Sequence, residues 1–134
     1  MSPRRASCAC GQLHLECTGE PIRVSMCHCL ACQQRTGSVY GVQARFKREA
    51  VTAIEGRSTE FVRRGDESGD PCTLHFCPVC GSTVYWELAK QPDVIAVAVG
   101  AFADPTFPAP RISIYEVRSH PWALPTGIEL EHWD

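Results

Sequence analysis

Cys77-Pro78-Val79-Cys80-Gly81-Ser82 is the stretch whose reading decides the fold. Two thiols separated by two residues, with Pro between them and Gly directly after, form a metal knuckle. Both sulfurs can point at one ion, and Gly81 takes the unusual backbone angle of the tight turn at little steric cost. A knuckle supplies two thiolates, whereas a closed zinc site takes four ligands in a tetrahedron, so a second pair must come from elsewhere. Upstream, the chain offers Cys8-Ala9-Cys10-Gly11, again with Gly after the second Cys. It also offers Cys27-His28-Cys29-Leu30-Ala31-Cys32, with three thiols in a short run.

A length of 134 residues fits one domain, residues 1–134, for which a metal would be a useful staple. The 9 cysteines are an odd number, and no signal-peptide pattern precedes them. Thiols reserved for metal in the reducing cytoplasm are therefore the expectation, rather than disulfides. A net charge of −2 excludes the footprint of a general nucleic-acid binder. Lys47-Arg48 and Arg63-Arg64 read as solvated surface spots. No run approaches the roughly 18 apolar residues that a membrane span needs.

Working outward from the knuckle, residues 72–77 alternate. Cys72, Leu74 and Phe76 fall on one face, Thr73, His75 and Cys77 on the other. Residues 83–88 follow as a strand, and the apolar run 94–99 reads as a central one. Upstream, Leu13, Leu15 and Cys17 alternate with Gln12, His14 and Glu16 as a half-buried strand. Gly19-Glu20-Pro21 turns the chain into a strand at 22–26 that delivers Cys27. Residues 30–36 predict a helical turn ended by Gly37, and strands follow at 38–46, 51–54 and 59–62. Residues 65–71 are a polar, mobile loop. Residues 104–110, with three prolines, cross the surface. Residues 112–117 are the last strand, and His120-Pro121-Trp122 and Leu124-Pro125 end the chain irregularly. Many short strands with almost no helix predict an all-β, zinc-stapled domain with short helical turns.

One hypothesis groups Cys8 and Cys10 with Cys77 and Cys80 as a closed, structural site, although spacing alone leaves the partner pair open. Another places a second zinc on Cys27, Cys29 and Cys32. Three protein ligands and one vacancy is the build of a catalytic zinc site. His28 is the obvious fourth ligand by proximity, but in extended backbone it points away from its neighbours. A zinc with three thiolates carries a formal charge of about −1, against about −2 with four, and so keeps more Lewis acidity. A thiol arriving at the vacancy would lose its proton. Cys17 and Cys72 read as core residues, and His75 as a partly exposed strand histidine with a possible supporting role near the closed site. His14 and His132 read as solvated.

These residues resemble a known family. Cys8-x-Cys10-Gly11, Cys27-His28-Cys29-x-x-Cys32 with Thr36-Gly37-Ser38, and Phe76-Cys77-x-x-Cys80-Gly81-Ser82 are similar to the glutathione-dependent formaldehyde-activating enzymes, as are Val99-Gly100-Ala101-Phe102, Ile114-Tyr115 and His120-Pro121-Trp122. The resemblance runs over nearly the whole chain. It implies a β-tent fold and two Zn2+ ions per chain. The structural zinc would lie on Cys8, Cys10, Cys77 and Cys80, the catalytic zinc on Cys27, Cys29 and Cys32.

The function it implies is a carbon–sulfur lyase that joins glutathione and formaldehyde into S-hydroxymethylglutathione. No separate glutathione motif is legible. The loop 33–38 is the candidate substrate wall, with Arg35 available for a carboxylate. No general base accompanies the triplet beyond His28 and solvent. The alternative is a non-catalytic zinc module, or a chaperone-like ligand-binding domain, on the same fold. A methionine sulfoxide reductase of the B type is disfavoured because no Cys follows Cys80.

Overall fold

The computed structural model describes residues 3–66, 68–123 and 125–134. Glu67 of the polar loop and Leu124 of the irregular tail, both included in the expectations above, lie outside them. In chain order the elements are β1 (Arg4–Ser7), β2 (His14–Cys17), β3 (Arg23–Cys27), α1 (Leu30–Thr36), β4 (Gly41–Lys47), β5 (Val51–Glu55), β6 (Thr59–Arg64), β7 (Pro71–Phe76), β8 (Thr83–Leu88), β9 (Gln91–Ala98), β10 (Ile112–Ile114) and β11 (Glu131–His132). The protein is mainly β, with one short helix and single 3-10 turns, as the frequent turn signals predict.

Two sheets are formed. The small one has the order β1-β2-β5 and the large one the order β11-β10-β3-β4-β9-β8-β7-β6. β9, the apolar run, is central as expected. β5 and β6, close in sequence, belong to different sheets, so the connection through Gly56 carries the chain from one layer to the other. Most pairs are antiparallel. β10 runs parallel to both β3 and β11, which joins the carboxy-terminal segment to the strand that delivers Cys27.

Alternation along the strands fixes which face packs where. On β3, Val24 and Met26 alternate with Arg23, Ser25 and Cys27. On β4, Ala44 and Phe46 alternate with Gln43 and Arg45. The apolar set points at the small sheet. Val24, Ala44, Phe46, Ile95 and Val97 pack there against Ala6, Leu13, Leu15 and Cys17 in one core. Phe46 is fully buried at its centre, and truncation there to Ala would cost about 3–5 kcal/mol. Cys17 is a core residue as expected, and burial pushes its thiol up to about 12. The opposite face of the large sheet carries Cys27 and the polar residues that share its parity.

Several expectations shift in detail. The strand at 38–46 begins only at Gly41. The last expected strand stops at Ile114, where Tyr115 takes a left-handed φ of 56° and starts a 3-10 turn at Glu116. β11 lies in a tail expected to be irregular. Its two residues give no periodicity to read. His75 is buried rather than partly exposed. Its ring stacks on Tyr85 at 4.3 Å, and Nε2 donates to Glu87 at 2.8 Å. All nine cysteines are free thiols. Among the described residues no helix is long and apolar enough to cross a membrane.

Candidate active site: two sulfur clusters and a cavity

The sulfurs of Cys8, Cys10, Cys77 and Cys80 lie within 4.8 Å of one another and could hold a metal ion. The Cys8–Cys10 and Cys10–Cys77 separations are 3.6 and 3.7 Å. A tetrahedral ion with bonds of about 2.3 Å would set such edges near 3.8 Å, so the donor set fits zinc. Local backbone supports negative sulfur. Leu13 N–H donates to Cys8 Sγ at 3.3 Å, and Val79 and Cys80 N–H donate to Cys77 Sγ at 3.3 and 3.5 Å. Gly81 takes φ 80°, the turn conformation the knuckle wants. The Ser82 hydroxyl and N–H hold the Cys80 thiol down at about 5. Gln12 Nε2 adds a bond to Cys77 Sγ at 3.0 Å, and the same side chain is tied to Arg57 N and O at 2.9 and 2.7 Å.

Cys27, Cys29 and Cys32 form a second cluster, also within 4.8 Å of one another and all buried. β3 delivers Cys27, Cys29 caps α1, and the first turn of the helix carries Cys32. Cys32 N–H donates to Cys29 Sγ at 3.3 Å. The helix ends at Gly37 as predicted. The thiols share charge unequally. Hydrogen bonds from Cys27 and Cys29, then the guanidinium charges of Arg63 and Arg35, pull Cys32 down to about 2, while hydrogen bonding to Cys29 and Cys32 pushes Cys27 up.

His28 is not part of this cluster. It is fully buried, with Nε2 2.9 Å from Ser113 Oγ, and burial lowers its pKa. It does not line the cavity at the triplet, so of the two possible bases named from the sequence, His28 and solvent, His28 is not placed for that role. It acts as an anchor for the β3–α1 turn, with its N–H donating to Ile114 O at 3.0 Å. Gln33 Nε2 donates to His28 O at 2.8 Å and to Arg118 O at 3.1 Å, and His120 Nε2 meets Gln33 Oε1 at 3.1 Å.

Asp66, in the loop expected to be mobile, is docked on the same helix. Asp66 accepts from Leu30 N–H at 3.3 Å and from Ala31 N–H at 3.1 Å. Both its oxygens are thus engaged with backbone, and it is not in the sulfur cluster.

The triplet opens into a cavity of about 380 Å3, in the range of small-molecule sites. Its walls include Arg23, Gln43, Arg45, Arg63, Cys72, Trp86, Tyr115 and Trp133. Arg63 Nε donates to Cys72 Sγ at 3.2 Å, and Nη2 lies 3.9 Å from Cys32 Sγ. This corrects its reading as solvated surface. Cys72 is buried, as expected, but at the cavity wall. Arg35, expected as the wall, does not line this cavity. Its guanidinium sits 4.2 Å over the Trp86 ring. Burial, and for Arg45 the charge of Arg23 as well, lowers the pKa of both Arg23 and Arg45. Arg23 and Arg45 were not singled out in the sequence, and Arg63 was read only as part of a surface dipeptide with Arg64. The available signal was parity, since Arg23 and Ser25 alternate onto the same face as Cys27.

The model of the glutathione-dependent formaldehyde-activating enzyme family matches residues 3–118. A search of curated proteins returns no match. A crystal structure of a Rhodobacter sphaeroides protein is similar in fold, with a TM-score of 0.54 and 18% identity, over 72% of this chain and 85% of that one. The chain belongs to the glutathione-dependent formaldehyde-activating enzyme family.

Proposed function

We propose, starting from that family membership, that the chain is a carbon–sulfur lyase-type enzyme that adds glutathione to formaldehyde. The observation that carries the reading is the contrast between the two clusters. Four sulfurs close one site, whereas three sulfurs, with no fourth donor grouped with them among the described residues, open onto a cavity. Cys8, Cys10, Cys77 and Cys80 would hold a structural zinc, and Cys27, Cys29 and Cys32 a second one. When bound by the triplet, the ion would supply Lewis acidity that favours the thiolate form of an arriving thiol.

The chain's own residues do the rest. Arg63, 3.9 Å from Cys32 Sγ, adds positive charge where sulfur becomes negative. Asp66 is bonded to the start of α1, beside the triplet, and the cavity would hold both reactants close to the sulfurs. In the reaction a C–S bond forms, the carbonyl π bond opens, and the thiol proton ends on the former carbonyl oxygen. The product is S-hydroxymethylglutathione, with no oxidant or reductant needed. Free thiols throughout fit a reducing cytoplasm.

The test is the rate of adduct formation from glutathione and formaldehyde, followed by NMR with and without protein. Acceleration by the protein, lost in folded Cys29→Ser, is the expected result. A rate equal to the protein-free reaction would favour a non-catalytic zinc module.

A further inference from the structure

The cavity contains a feature that sulfur chemistry does not use. Arg23 on β3 and Arg45 on β4 are direct cross-strand partners in an antiparallel pair. Like charges directly opposite one another destabilise a sheet. Among the described residues no carboxylate lies within ion-pair distance of Arg23, Arg45 or Arg63. The one acidic wall residue with an ion pair, Asp70, is occupied by Lys90 at 3.0 Å. Asp134 also lines the cavity, and Glu131 acts on Arg23 only at a distance.

Several polar atoms of the cavity wall, and Ser25 Oγ on the same sheet face behind it, are buried and unmatched, although Arg45 Nη1 donates to Gln91 Oε1 at 3.3 Å. Arg23 Nε, Ser25 Oγ, Gln43 Oε1, Arg45 Nε and Arg63 Nη1 are all buried without a hydrogen-bond partner. Each such atom costs stability unless something fills the cavity and bonds to it. They form a path along one sheet face. Arg23 and Cys27 are separated by four residues on the same face, so the guanidinium pair stands ~13 Å along the strand from the triplet. Ser25 and Gln43, paired in register, lie halfway. Trp133 backs the outer end, with its ring 5.2 Å from the Arg23 guanidinium.

We propose that Arg23 and Arg45 form a carboxylate-binding subsite at the outer end of the cavity, which selects an extended thiol carrying an acidic, amide-linked tail. This rests on the reading of the triplet as the sulfur end. The two guanidinium forks match the planar geometry of a carboxylate, and an anion between them turns mutual repulsion into a shared bond. Gln43 Oε1, an unmatched acceptor, suits an amide N–H of the tail. The subsite explains why two like charges are held face to face at the far end of the cavity from the triplet.

The experiment uses S-methylglutathione, which has the carboxylates but no free thiol, and its dimethyl ester, with binding measured by calorimetry on the protein as purified. The acid should bind. The ester should bind ~10- to 100-fold more weakly, the factor expected for losing charge-assisted hydrogen bonds. Arg45→Gln should lose a similar factor for the acid while melting at the same or a higher temperature, because repulsion is relieved. Equal binding of acid and ester by the wild-type protein overturns the subsite, whatever the variant does. Undiminished binding of the acid by Arg45→Gln also overturns it. Because the probe carries no thiol, binding of the acid with failure of adduct formation would count against the enzyme reading and leave the subsite standing.

Discussion

Asp66 accepts from the backbone N–H of Ala31 at 3.1 Å, across 35 residues of sequence, and so fastens the β6–β7 loop to the helix that carries Cys32. Asp66→Ala should lower stability by about 1 kcal/mol, the usual cost of losing a helix cap. A melting temperature a few degrees lower, with faster amide exchange at Leu30 and Ala31, is expected. Asp66→Asn keeps one of the two acceptor oxygens and should recover only part of the loss. Unchanged melting and exchange in Asp66→Ala would show that the loop is not held this way.

The two sulfur clusters should respond differently to loss of one ligand. Cys80→Ser breaks a set that joins the amino-terminal segment to the β7–β8 turn, and structural zinc contributes on the order of 10 kcal/mol to small zinc domains. Cys29→Ser opens a set spanning one short turn, which closes little of the chain. Thermal melts should show severe unfolding for the first and a modest shift for the second. Equal unfolding would make both sites structural.

The fold was legible where alternation and cysteine spacing agree. Strand β8 and the end of α1 at Gly37 fall where the sequence puts them, and both sulfur clusters assemble as grouped. Arg63 was not legible, because its meaning depends on the β6–β7 register that sets it opposite Cys72. His75 was misjudged for a similar reason. The partners that permit its burial, Tyr85 and Glu87, come from β8 and carry no local pattern. The docking of Asp66 is a case of tertiary hydrogen bonding that polar composition cannot reveal.

Gly56 has φ 96°, and a Cβ added there would stand 1.9 Å from Gln12 O, a backbone atom that cannot swing aside. Gln12 also bonds Cys77 Sγ, so the strain would reach the closed cluster. Gly56→Ala should destabilise by ~2–3 kcal/mol or more and lower retained zinc at the four-sulfur site. Denaturant unfolding with metal analysis checks this. A wild-type midpoint would contradict it.

Glu87 gives an acid-side pH dependence. Its carboxyl is held below the usual range first by the hydrogen bond from Arg48 at 2.7 Å, then by His75. A depressed folded pKa contributes stability that is present above the ordinary value near 4.5 and is lost as pH falls through the folded pKa. Urea melts from pH 6 down to about 3 should therefore show a smaller loss for Glu87→Gln than for wild type. Parallel pH profiles would remove Glu87 from that limb.

The central claim is that Cys27, Cys29 and Cys32 hold an ion with one position left for a thiol. The most direct measurement is the sulfur-to-metal absorption of cobalt-substituted protein titrated with glutathione. The account predicts a saturable change that strengthens as pH rises toward the thiol's free pKa of roughly 8.5. It also predicts that the change is absent in Cys29→Ser, while the absorption of the four-sulfur site stays as it was. A spectrum that does not respond to glutathione at any pH would mean that the fourth position is closed, and would contradict the claim.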